Sequence, residues 1–66
     1  MYNQGQKLTI IGDNQYDHRF KMGTVVTVVS DERAVEPRIL VRGKLEFLRE
    51  EIELWAHPED VEERNV

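Results

Sequence analysis

The sequence predicts a mainly-β fold, a small five-stranded antiparallel barrel, and three observations carry that expectation. Two segments, "QKLTII" and "RILVR", alternate polar and apolar residues with the two-residue period of a half-buried strand. Between them "TVVTVV" is an unbroken run of β-formers, whose branched side chains pack well on a pleated surface and lose freedom in a helix. The chain also has only 66 residues and no cysteine, so one small core must hold it without a disulfide or a thiolate metal site. Such a core supplies only about 3–5 kcal/mol. Unpaired sheet edges are a liability at that size, and a barrel removes them.

Taken in order, Leu8 and Ile10 mark one face of the first strand, with Lys7 and Thr9 on the other. Gly12 opens and Gly23 closes a connection, "GDNQYDHRFKMG", that is long for a hairpin of ordinary loop length. In the valine-rich strand Val26 and Val28 point one way and Val25 and Val29 the other, so both faces are apolar. "SDERAVEP" is a polar turn region in which Pro37 forbids a regular central strand. Ile39 and Val41 then face inward, with Arg38, Leu40 and Arg42 outward, and "GK" reads as a tight turn.

The segment "LEFLREEIELW" supports two readings. Leu45, Leu48, Ile52 and Trp55 form a helical stripe, and its Leu, Glu and Arg content favours helix. Edge economy favours strand–turn–strand over residues 47–55, with "REEI" as the turn, and this is the reading adopted. Phe47, Ile52 and Leu54 would then join the core. "HPEDVEER" reads as a short acidic C-terminal helical turn, since Pro58 suits a first helical position and Glu59 and Asp60 suit the positive end of the helix dipole. The whole chain, 1–66, is thus one domain, with the barrel at about 5–55 and an acidic tail at 56–66.

The net charge of −4 is unevenly spread: residues 1–45 hold seven Lys or Arg against five Asp or Glu, and residues 46–66 hold two against eight. That balance disfavours wholesale phosphate binding. No apolar run approaches the ~20 residues of a membrane span, and the start lacks the basic and apolar regions of a signal peptide. A cytoplasmic protein without membrane contact is expected.

The order strand, long loop, "FKMGTVVTVV", turn, "RILVRG", then "EFLREEIEL" resembles short SH3-like barrel proteins of bacteriophages and bacteria. Gly5, Leu8, Ile10, Phe20, Gly23, Val26, Val28, Phe47, Ile52 and Leu54 carry the resemblance over about residues 5–55. It implies an SH3-like barrel whose opening loop flanks a ligand groove. It also implies a phage or mobile-element origin and a role in binding and modulating a host or assembly protein. The Ala-Leu-Tyr-Asp-Tyr type motif of proline-peptide binders is missing, so that specificity is not implied. "GQKLTIIG…FKMGTVVTV" is also similar to the KOW element of transcription factors and ribosomal proteins, which implies nucleic-acid binding as the alternative.

Catalytic chemistry has few parts to work with. Asp13, Asp17 and His18 are the nearest approach to a metal corner or an acid–base pair, and a loop histidine beside an aspartate is more often a hydrogen-bonded anchor. There is no phosphate-cradling glycine loop. No enzyme activity, cofactor or metal is expected. Tyr16, His18, Arg19 and Trp55 are the candidate partner-binding residues, because large side chains of these types anchor interfaces; a protein partner and a monomer or weak homodimer are expected. For the nucleic-acid alternative the candidates are Arg38, Arg42, Lys44 and Arg49. Phe20 is expected in the core, plugging a barrel end, and His57 as a cap.

Overall fold

The computed structural model describes residues 2–13, 18–45 and 48–64. Five antiparallel strands make one sheet: β1 (Lys7–Ile10), β2 (Val25–Asp31), β3 (Ile39–Lys44), β4 (Glu51–Ala56) and β5 (Val61–Glu63). The spatial order is β4-β3-β2-β1-β5. The alternation read from sequence is the one that folds: Leu8, Ile10, Val26, Val28, Ile39 and Val41 are all buried. Phe20, Ala56 and Val61 complete this core, and Tyr2, Leu45 and Leu54 pack against its margin.

Four expectations need correction. The sheet is open, because β4 and β5 are its two edges among the described residues, rather than a barrel closed by backbone pairing. "GK" is not a turn; Gly43 and Lys44 pair with Ile52 and Glu51 as the last rungs of β3–β4. "REEI" is not one turn, since Glu51 and Ile52 already belong to the strand Glu51–Ala56, which follows a bend at residues 49–50; the strand expected before it falls on Phe47, outside the described residues. Finally, the acidic end is part of the sheet. A single 3-10 turn, Pro58–Asp60, capped by the His57 side chain accepting from the Glu59 amide at 3.1 Å, leads into β5. β5 then pairs with β1 through Val61 opposite Ile10. One apolar residue in the right register recruits an otherwise charged segment.

Between Val28 and Ser30 the β2–β3 register slips, which makes Val29 the extra residue of a β-bulge. The bulge reverses the alternation of β2, so Asp31 falls opposite the buried Ile39. Its carboxylate is consequently turned inward, with 2% side-chain exposure. Donors meet it there: Arg33 Nη2 at 2.7 Å, Arg33 Nε at 3.0 Å to either oxygen, the Arg33 amide at 3.1 Å and the Tyr2 amide at 2.8 Å. The Arg33 guanidinium also rests 4.7 Å from the Tyr2 ring centroid. One side chain therefore fastens the N-terminal segment to the β2–β3 connection.

The Arg33 hydrogen bond holds the Asp31 carboxyl down to about 2, from an ordinary 3.8, against the opposing effect of burial. A carboxyl depressed on folding stabilises the native state at pH above its unfolded value, and loses that contribution as pH falls through the folded one. Stability on the order of 1–2 kcal/mol should therefore drain away between about pH 4 and pH 2. Denaturant melts across that window measure it. Asp31→Asn should remove most of this slope and lower stability at neutral pH; an unchanged slope would show that other carboxylates set the acid limit.

Candidate binding face at the base of the opening loop

The opening loop is pinned at both ends. The Asp60 carbonyl accepts from the Ile11 amide at 2.8 Å and the Gly12 amide at 3.3 Å, which ties the loop's entry to the 3-10 turn. At its exit His18 is fully buried. His18 Nδ1 accepts from the Phe20 amide at 3.0 Å, so its lone pair is engaged, and Nε2–H donates to the Gly12 carbonyl at 2.7 Å. That pattern requires the Nε2–H tautomer. The ring also stacks on Phe20, centroid to centroid 5.7 Å. Arg19, between the two, takes a left-handed φ of 62°, which lets the Phe20 amide turn back onto the imidazole.

His18 is thus a bracket inside the loop rather than a contact residue, and both its nitrogens are already used, which leaves neither for a metal. Among the described residues no group of three His, Cys, Asp or Glu could hold a metal ion. Tyr16 and Asp17 lie outside the described residues. Arg19 is exposed beside this bracket.

Trp55 is half-buried on the outer face of β4, with the Arg38 guanidinium 4.0 Å from its ring centroid. Arg38 also pairs with Glu32 at 3.2 Å and Glu36 at 3.3 Å. Arg42 pairs with Glu53 across the β3–β4 ladder at 2.6 Å, and Lys44 stands opposite Glu51. Arg49 is exposed in the bend before β4. The four basic residues expected to share one phosphate-binding face are thus interleaved with carboxylates. The structure does not gather them into a basic patch.

A different surface emerges at the loop's base. Gly23 N–H donates to the Ile10 carbonyl at 2.7 Å, and Ile10 N–H to the Thr24 carbonyl at 2.9 Å, so residues 22–25 and 9–11 lie side by side. Alternation puts Ile11 on the outer face with Thr9 and its partner Val25. Ile11, Val25 and Met22, beside them in the turn, are all exposed, Met22 by 66%. Continuing the β2–β3 register from the Thr27–Arg42 rung sets Lys44 beside Val25. Lys7 lies further along β1, donating to Thr27 Oγ1 at 2.6 Å, and Lys21 adjoins Met22. Sequence reasoning passed over Ile11 and Met22. The available signal was that "TII" and "TVVTVV" have apolar residues on both faces, one set more than a single core can bury.

No family model, no curated protein and no solved structure matches this chain.

Proposed function

We propose that the chain is a non-enzymatic interaction module on an SH3-like frame, which binds a protein through the outer sheet face at the base of its opening loop. The strand order, the long β1–β2 connection and the 3-10 turn before β5 support that frame. The observation that carries the binding reading is the cluster of Ile11, Val25 and Met22, three exposed apolar side chains beside Lys7, Lys21 and Lys44. An apolar patch rimmed by charge is the usual form of an interaction site. The complementary partner is a protein surface with apolar side chains ringed by Asp or Glu. A phosphate backbone would meet the lysines but leave the aliphatic side chains unused. Arg19, exposed in the adjoining loop, belongs to the proposed surface by its place in the chain, and Tyr16 lies outside the described residues. Binding and modulation of a host or assembly protein by a phage-encoded chain rests on the family resemblance alone.

The test is site-specific photo-crosslinking in bacterial lysate, with the probe placed at Met22 or, as a control at the opposite end of the sheet, at Glu36. A discrete protein adduct is expected from the first position and not from the second. Val25→Glu with Lys44→Glu should abolish it. Nucleic acid in the adduct would favour the KOW-like alternative, and equal adducts from both positions would sink the assignment of this face.

A further inference from the structure

We infer that the outer edge of β4 pairs with the same edge of a second copy, in antiparallel register about Leu54, to join two sheets into one. The edge is long and regular. All six residues of β4 pair with β3, from Glu51 opposite Lys44 to Ala56 opposite Ile39, and among the described residues no strand lies on the other side. An unpaired strand edge of this kind presents a row of free amides and carbonyls, which is a template for another strand. The side chains show the same gap. Ile52 and Leu54 point to the core side with Ala56, yet they are only half-buried, whereas their β3 partners Gly43 and Val41 are buried.

Like charges narrow the registers in which a second copy can pair. Opposed residues of an antiparallel pair share a face, so a two-fold pairing of β4 with itself must be centred on a residue. Centring on Glu53 sets carboxylate against carboxylate, and centring on Ile52 sets Glu51 against Glu53 twice; like charges directly opposed are destabilising. Centring on Leu54 or on Trp55 avoids both clashes, and the Leu54 centre pairs more of the strand, residues 52–56 against 54–56. Leu54 then meets Leu54, Ile52 meets Ala56, and the half-buried inner residues gain an apolar neighbour. On the outer face Glu53 of one copy lies opposite Trp55 of the other, the ring on which Arg38 rests. The Glu53 carboxylate, which already pairs with Arg42 of its own copy, is thereby brought toward a guanidinium that Glu32 and Glu36 hold and whose Nε has no hydrogen-bond partner among the described residues. The carboxylates that clash in the Glu53- and Ile52-centred registers are kept apart in this one.

The interface is a single strand pair, below the size of standard stable complexes, so the dimer forms reversibly and at high protein concentration. Sedimentation equilibrium on the wild-type chain should show a monomer–dimer equilibrium. The chain has no cysteine, so one introduced thiol reports the register. Opposed Cα atoms at the two-fold axis are about 4.5–5.5 Å apart, within disulfide reach, whereas the two copies of residue 53 are separated by more than about 7 Å. Mild oxidation should therefore lock Leu54→Cys as a covalent dimer at least about tenfold more efficiently than Glu53→Cys. The sedimentation result on the unaltered chain stands whether or not the Leu54→Cys variant folds well. A monomer at every concentration, or a dimer that neither thiol or only Glu53→Cys locks, overturns the inference.

Discussion

Gly43→Ala is expected to remove a large share of this protein's folding stability, although it adds a single methyl group. Gly43 is buried in β3 opposite Ile52. A Cβ at that position would come within 2.7 Å of Val26 Cγ1 and 3.2 Å of Phe20 Cε1. Neither neighbour can swing aside: Val26 is a β-branched core residue, and Phe20 is held between the sheet and the His18 ring. Forcing a methyl group into a packed core costs roughly 1–3 kcal/mol, out of about 3–5 kcal/mol for a domain of this size. Thermal melts followed by circular dichroism should show the midpoint falling by roughly 4–8 °C per kcal/mol lost. The specific cause can be isolated by a double-mutant cycle. Val26→Ala deletes the atom that the new methyl strikes, so the two changes together should cost less than their sum by about 1 kcal/mol or more. Strict additivity would show that the close approach is relieved in some other way.

This glycine also shows where sequence reasoning gave out. In "RILVRGKLEF" a glycine followed by lysine has the composition of a tight turn, and nothing local distinguishes that from a strand residue crossed by a bulky neighbour. The distinction comes from Phe20, more than twenty residues earlier, whose ring lies against the glycine. The first three strands were legible because each buries an alternating apolar face, and alternation is a local property. The fourth was half-legible: "EIELWA" is a strand despite a helical stripe through Leu45, Leu48, Ile52 and Trp55, because six rungs to β3 outweigh a small propensity difference. The fifth was illegible. "VEE" has no strand period of its own, and it becomes one only because Val61 finds Ile10. The same limit applies to the site. Tyr16, Arg19 and the loop's length were visible in sequence, but the apolar corner of Ile11, Met22 and Val25 depends on which valine face the core consumes.

Replacing His18 is expected to have the larger effect on the opening loop and a comparable effect on stability. His18→Ala deletes a fully buried ring and leaves the Gly12 carbonyl and the Phe20 amide without their partner. The unsatisfied buried Phe20 amide costs about 1–3 kcal/mol, the part-buried Gly12 carbonyl costs less, and the lost ring packing adds to both. The sum is on the scale of the whole folding free energy, so His18→Ala should be largely unfolded or molten. His18→Asn separates the two bonds. The asparagine Oδ1 occupies nearly the place of Nδ1 and can accept from the amide two residues on, as in an Asx turn. Its shorter side chain stops before the Gly12 carbonyl. The Asn variant should therefore recover about 1 kcal/mol relative to the Ala variant. By hydrogen exchange it should retain protection of the Phe20 amide, while the Ile11 and Gly12 amides, held by Asp60 at the loop's other end, exchange faster as the bracket across the loop opens. Equal loss in both variants would mean that the ring acts through packing alone. The tautomer gives an independent check: ¹⁵N shifts of the wild-type imidazole should place the proton on Nε2, the nitrogen that faces Gly12. A proton on Nδ1 would contradict the geometry, because that nitrogen already receives the Phe20 amide. The consequence for function follows from position. Arg19 leaves the backbone between the two bonded groups, and Ile11 and Met22 lie just beyond them. A loop that loses its bracket should lose the shape of the proposed face even where the sheet survives.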